Sequence, residues 1–470
     1  MVFSTPLFVF AFLPAVLFFY FLAPVRFRNH VALAFSFVFY AFGAPKFIAV
    51  VFVSCLIDWL VTARIHRATD TVRRKRLLIL GVASNLLLLG HFKYTDSALG
   101  SLNSIFAMLG LEPIPLLGIA LPIGISFITF EKITYIVDVY RGEGHPARSF
   151  VTYLLYIHYF PQLIAGPIIK YHDIEDQFYS RPYTLDGAVQ GLSRFAVGLA
   201  KKVLLADALA PTVEAAFALP PSELDPATAW LGIVCYTLQL YFDFSGYSDM
   251  AIGMARAMGF RFQENFNMPY ISMNLTEFWR RWHISLSSWI RSYLYFPLGG
   301  NRGSTWRTYA NLWLCFVLCG LWHGAAWNYV IYGTYQGVFM VLDKIFWIDL
   351  QARLPRFFNI GLTFFITMFG FVIFRTSTMA EAGDYFVALF SVASDLPRAV
   401  PATPEILAYV SIGLVLSFFP ATRFFEPLME RLERLSFRDE LYTATAILLF
   451  VLSMGRIAGE SFSPFLYFRF

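Results

Sequence analysis

Apolar residues gather in long runs along this chain, at 5–24, 31–45, 47–63, 77–92, 114–138, 149–167, 188–209, 227–256, 308–321, 327–346, 358–375, 405–420 and 441–457. Several runs are short or broken by Pro and Gly, so the pattern predicts about ten to thirteen membrane passes, re-entrant ones included. The run from Pro6 to Pro24 lacks a basic leader and a small-residue cleavage site, and reads as a retained span rather than a signal peptide. Pro161, Gly166 and Pro167 break the run 149–167 and predict a re-entrant segment lining a cavity. No internal repeat is visible.

One stretch departs from the pattern. Between 274 and 303, Arg280, Arg281, His283 and Arg291 sit among Trp279, Trp282 and Trp289, which suits a helix lying at or dipping into a membrane surface. The following stretch places His323 in the turn Leu321-Trp322-His323-Gly324, between two apolar runs. A helix of ~14 residues starting at Tyr309 would cover only ~21 Å of a ~30 Å hydrocarbon layer. His323 is therefore expected inside the membrane, in a wet or protein-lined cavity.

Basic residues in short loops predict the orientation. Arg64, Arg67, Arg73, Arg74, Lys75 and Arg76 crowd one loop, which is assigned to the cytoplasm; the N-terminus then falls outside. Arg423, Arg431, Arg434 and Arg438 place 421–440 inside, whereas 376–404 carries Arg398 alone, so the C-terminus exits outward. The arginines of 277–307 mark a cytoplasm-facing or interfacial element.

Composition sharpens this picture. With 58% hydrophobic and 14% charged residues over 470 positions, the chain is a polytopic membrane protein. Cys55, Cys235, Cys315 and Cys319 lie inside apolar runs, at no spacing that suggests zinc or a disulfide framework, and read as packing residues. A net charge of +5 is modest and confined to loops, so nucleic acid is not implied.

The stretches WRRWHISLSSWIRSYLYFPLGGNR (279–302) and LWHGAAWNYVIYG (321–333) resemble the two signature regions of the membrane-bound O-acyltransferase (MBOAT) family, in its bacterial alginate O-acetylation branch. Further matches are SFITFEKITYIVDVYRG at 126–142, YFPQLIAGPI at 159–168, LQLYFDFSGYSDMAIGMARAMGF at 238–260, the opening MVFSTPLFVFAFLP and the closing FLYFRF. The resemblance implies an all-α integral membrane fold, a polytopic helical bundle around a central funnel or tunnel. It implies a single domain over 1–470, with signature regions 274–303 and 318–333 and an exterior tail, 458–470. The implied activity is O-acyl transfer, with acetyl-coenzyme A or another acyl thioester as donor substrate and no bound cofactor.

Acyl transfer from a thioester to an oxygen needs a base for the hydroxyl proton and donors for the developing oxyanion. Neutral imidazole titrates near working pH. His323 is the candidate base, and it matches the family's invariant active-site histidine; read without the family, its membrane placement still favours a functional role over the alternative, a core histidine bonded to a backbone carbonyl. His283 matches the second family position, with a paired role in orienting substrate or His323; alternatively WRRWH is only an interfacial girdle. A metal between them is not expected, since no Cys or carboxylate sits at ligand spacing. Arg280, Arg281, Trp322 and Asn328 are candidate substrate-binding residues, the arginines as partners for donor phosphates.

Asp243 and Asp249 fall inside a hydrophobic span and require partners, with Arg256 or the 277–307 arginines as candidates for a structural lock. Glu131, Lys132 and Asp138 invite the same reading. In the tail, Tyr467 is either an interfacial anchor or an acyl relay, since a phenol is a competent nucleophile beside a base.

By resemblance, the protein sits in the bacterial inner membrane, and the charge count puts both termini in the periplasm. It would pass an acetyl group from the cytoplasm to an exopolysaccharide such as alginate or cellulose, through a periplasmic SGNH-type acetyltransferase partner. D-alanyl transfer to teichoic acid and peptidoglycan O-acetylation are the alternatives within the enzyme class. A transporter or flippase is the alternative outside it.

Overall fold

A computed structural model describes residues 1–391 and 398–459, and the elements among them are helical, without a strand. Among the described residues, five helices are long and apolar enough to cross a membrane: Pro45–Arg67, Thr71–Met108, Arg356–Arg375, Pro404–Ala421 and Arg438–Gly459. The chain divides into two compact units, residues 1–191 with 251–263, and residues 192–250 with 264 onward.

In the first unit, the helices Ile48–Arg67, Thr71–Met108 and Ile125–Arg141 pack around a buried ion pair, Asp58 to Lys132 at 3.1 Å. Asn85 on the second of them donates to the same carboxylate at 2.9 Å. Charges at this depth persist because each has a partner. The basic cluster expected in a loop lies elsewhere: Arg73 to Arg76 are already helical, because the Asp70 carboxylate accepts from the Val72 and Arg73 amides and starts the helix at Thr71. The run 114–138 is helical only from Ile125. The helix Phe150–His158 stops before Pro161, and residues 159–169 continue as irregular but buried chain. Their backbone is partly satisfied by side chains, the Tyr156 hydroxyl donating to the Ile169 carbonyl at 2.8 Å. Asp138 accepts from both the backbone amide and Nδ1 of His172, at 3.1 and 2.9 Å.

The second unit carries the acid-rich span. Asp243 pairs with Lys202 at 3.1 Å, and Asp249 with Arg194 and Lys201 at 2.7 and 2.6 Å. The structural lock is present, but its cations come from 194–202 rather than from the 277–307 block. Arg256 hydrogen-bonds Gln190 instead. Sequence distance hid these partners, which the packing of neighbouring helices brings together.

The helices Thr305–His323 and Trp327–Leu342 form the closest pair in this unit. Gly320 and Gly333 meet at their crossing: a Cβ on Gly320 would lie 3.0 Å from the Gly333 Cα and would collide with the Tyr329 carbonyl. Only glycine lets the two backbones approach this far. The Ser304 hydroxyl caps the first helix by accepting from Arg307, so it begins at Thr305, four residues before Tyr309. Its 19 residues span about 28 Å. The shortness expected of this helix is therefore not observed, and the burial of His323 has another cause, the packing described next.

Candidate active site

His323 is the last residue of the helix Thr305–His323, and only 8% of it is exposed. Gly324 follows in extended conformation, and a Cβ there would run into the Tyr329 ring, so this glycine makes room for a neighbouring side chain. His283 occupies the break between the helices Leu275–Arg281 and Ile284–Ile290. Its backbone is left-handed, with φ +44° and ψ +53°, a conformation that costs a non-glycine residue energy and persists only where its surroundings impose it.

Asn265 imposes it. Its carbonyl oxygen accepts from Ile284 N at 2.9 Å, and its side-chain oxygen accepts from the Ser285 hydroxyl and amide at 2.8 and 3.2 Å. Its amide group in turn donates to Ser248 at 3.0 Å. Two residues on, Asn267 N donates to the Arg281 carbonyl at 2.8 Å. The chain is thus held on both sides of His283, and the imidazole turns inward, 1% exposed.

Both histidines line one small cavity, together with Leu240, Phe244, Trp279, Trp282, Tyr332, Phe371 and Phe374. It offers about 20 Å³ to the centre of a water-sized sphere. Phe244 meets the His283 ring edge-on at 4.7 Å between centroids, and Phe374 meets His323 in the same way at 5.4 Å. The Trp322 ring lies 6.5 Å from the first imidazole and 4.9 Å from the second. Among the described residues no carboxylate lines this cavity, and carboxylates and histidine come together, with ligand atoms within 4.8 Å of one another, at Asp138, Glu143 and His172 of the first unit.

A second, larger pocket of about 340 Å³ lies against the same block. Arg280, Arg291 and Lys344 give it positive charge, and Leu312, Phe316 and Met340 give it apolar walls. Trp279 belongs to the walls of both cavities. Its indole N–H donates to Gln336 at 3.3 Å, and its ring packs against Phe316 at 5.2 Å. Cys315 and Cys319 border the larger pocket, whereas Cys55 and Cys235 are fully buried; all four thiols are free.

The remaining sequence candidates separate. Arg280 faces the larger pocket, while Arg281 pairs with Glu277 at 2.9 Å and donates to the Asn267 carbonyl at 3.1 Å. Asn328 donates to the Thr376 carbonyl at 2.7 Å, tying the helix Trp327–Leu342 to the end of Arg356–Arg375. Tyr467 lies outside the described residues. Sequence reasoning missed Asn265, Phe244, Phe374 and Gln336. The first three carry no local signal, because their roles depend on contacts far along the chain; the lone Gln336 in an apolar helix was a polar residue that needed a partner.

An imidazole pair in a small, mostly apolar cavity beside a cation-bearing pocket is suited to proton transfer during displacement at an activated acyl group. Comparison with known proteins bears on the acyl transfer itself. The family model of the membrane-bound O-acyltransferases matches residues 146–381. A protein of Azotobacter vinelandii named "Probable alginate O-acetylase AlgI" is 42% identical, with all of both chains covered. A "Peptidoglycan O-acetyltransferase" of Helicobacter pylori is 34% identical over 81% of this chain and 78% of its own. A "Teichoic acid D-alanyltransferase" of Bacillus subtilis is 31% identical over 54% and 68%. With the family model covering half the chain and a relative matched from end to end, the protein belongs to the membrane-bound O-acyltransferase family and is an O-acyltransferase of the membrane.

Proposed function

We propose that the protein transfers an acetyl group from a cytoplasmic thioester, such as acetyl-coenzyme A, across the bacterial inner membrane for O-acetylation of an exopolysaccharide. The observation that carries this reading is the convergence of His283 and His323 on one cavity that shares Trp279 with a pocket bearing Arg280, Arg291 and Lys344. The larger pocket takes the donor, its cations meeting phosphates by charge-assisted hydrogen bonds. His323 acts as general base on the acceptor hydroxyl, and His283, with Trp322 beside it, orients the reacting groups. Ten to thirteen passes, re-entrant segments included, would surround a central funnel open to both sides, with both termini periplasmic and an SGNH-type partner collecting the acetyl group there. Tyr467 is the relay in this scheme.

Alginate is favoured as the acceptor over peptidoglycan or teichoic acid because the relative named for it matches from end to end, whereas the other two match in part. Purified protein incubated with acetyl-coenzyme A labelled in the acetyl group tests the reading: label appearing on protein or polymer, with release of free thiol, is expected. Movement of substrate across vesicles without thioester cleavage would make the protein a transporter instead.

A further inference from the structure

We propose that Leu240 sets the length of the acyl group this enzyme transfers, by closing the two-histidine cavity to anything longer than two carbons. The inference rests on the function proposed above. Transfer breaks the thioester C–S bond and forms an ester C–O bond, while the hydroxyl proton passes to imidazole and then to the departing thiolate. The acyl carbon must therefore reach the imidazoles while the rest of the donor remains in the larger pocket beyond Trp279.

The space left for the acyl tail is small. About 20 Å³ of room for a sphere's centre corresponds to one or two water-sized groups, enough for a methyl and a carbonyl oxygen. Eight of the nine residues around the cavity are aromatic or imidazole, and Phe244 and Phe374 hold the catalytic rings edge-on. Widening the cavity at those positions would loosen the histidines. Among the described residues Leu240 is the one aliphatic residue on this wall; it is 4% exposed and projects from the long helix Pro226–Ala257. Its isobutyl group bounds the cavity and is not one of the rings set edge-on against the histidines. A closed apolar wall discriminates against an added methylene by roughly tenfold or more, and removing three carbons from the wall makes room for about two methylenes on the substrate.

The test compares acetyl-, propionyl- and butyryl-coenzyme A as donors for the purified full-length protein, reading thiol release as kcat/KM. Wild type is expected to prefer acetyl over butyryl by about tenfold or more. Leu240→Ala should shift the butyryl-to-acetyl ratio by at least tenfold toward butyryl, and Leu240→Val should move propionyl by a smaller amount in the same direction. Leu238→Ala is the control: Leu238 is equally buried on the same helix but packs toward Gly413 instead, and its ratio should stay at that of wild type. If Leu240→Ala fails to accumulate, Leu240→Val carries the comparison. Wild type using butyryl as well as acetyl, or an unchanged ratio in the Leu240 variants, overturns the inference while the proposed function stands. No thiol release from any donor overturns the function itself and the inference with it.

Discussion

His283 and His323 border one cavity although forty positions separate them in the chain, and they reach it by different means. The first is turned inward by a left-handed break that Asn265 braces, the second is carried to the end of a glycine-crossed helix pair. The Trp322 ring stands near both.

Replacing His323 by Ala should lower acyl transfer by about 10²–10⁴-fold, the usual contribution of a positioned general base, while the protein still accumulates and inserts. His283→Ala should be milder if its role is to orient. Polymer acetylation in cells, normalised to protein level, checks both; near-normal acetylation by the His323 variant would remove it from the mechanism.

The two neighbouring arginines should behave differently. Arg280→Glu is expected to raise the donor KM by about tenfold or more, in line with losing one charge-assisted hydrogen bond of about 1.5–3 kcal/mol. Arg281→Glu breaks the pair with Glu277 and should affect thermal stability more than KM. Arg398→Glu, outside the pocket, should leave KM unaltered. Steady-state kinetics with the three variants decide; equal KM effects at positions 280 and 398 would contradict the assignment of the donor pocket.

His172 lies between candidate spans, and its hydrogen bonds to Asp138 and then Asp173 raise its pKa to about 10. A histidine unfolds to a value near ~6.5. The stabilisation is therefore complete below about pH 6.5, declines as pH rises between the two values, and is gone above about 10. The difference in melting temperature between wild type and His172→Gln in detergent should thus be largest at pH 6 and vanish toward pH 10. A difference that grows with pH would show that the pair is not ionic.

Tyr467 belongs to the proposed scheme through chemistry alone. A phenol with a pKa near ~10 leaves more readily than a sugar alkoxide, so its ester remains activated for onward transfer. Tyr467→Phe should insert and accumulate normally yet fail to acetylate polymer, whereas Phe468→Leu should be mild. Full acetylation by the Tyr467 variant would make the tail an interfacial anchor.

Apolar run lengths were enough to mark a helical membrane protein, and the tryptophan- and arginine-rich block to mark a candidate site, because desolvation cost is a local property that each residue carries with it. Pro161 and Gly166 likewise announced a break in their helix, since ring and backbone constraints act within a few residues. Partner choice is different in kind. That Lys202 rather than Arg256 meets Asp243, that Arg280 faces a pocket while Arg281 is tied to Glu277, and that Asn265 braces His283 all depend on which helices pack together. The start of the Thr305–His323 helix was misplaced because a single hydroxyl, that of Ser304, outweighs average hydropathy at a helix end. A sequence states what each side chain must avoid, and only the packed fold decides which neighbour satisfies it.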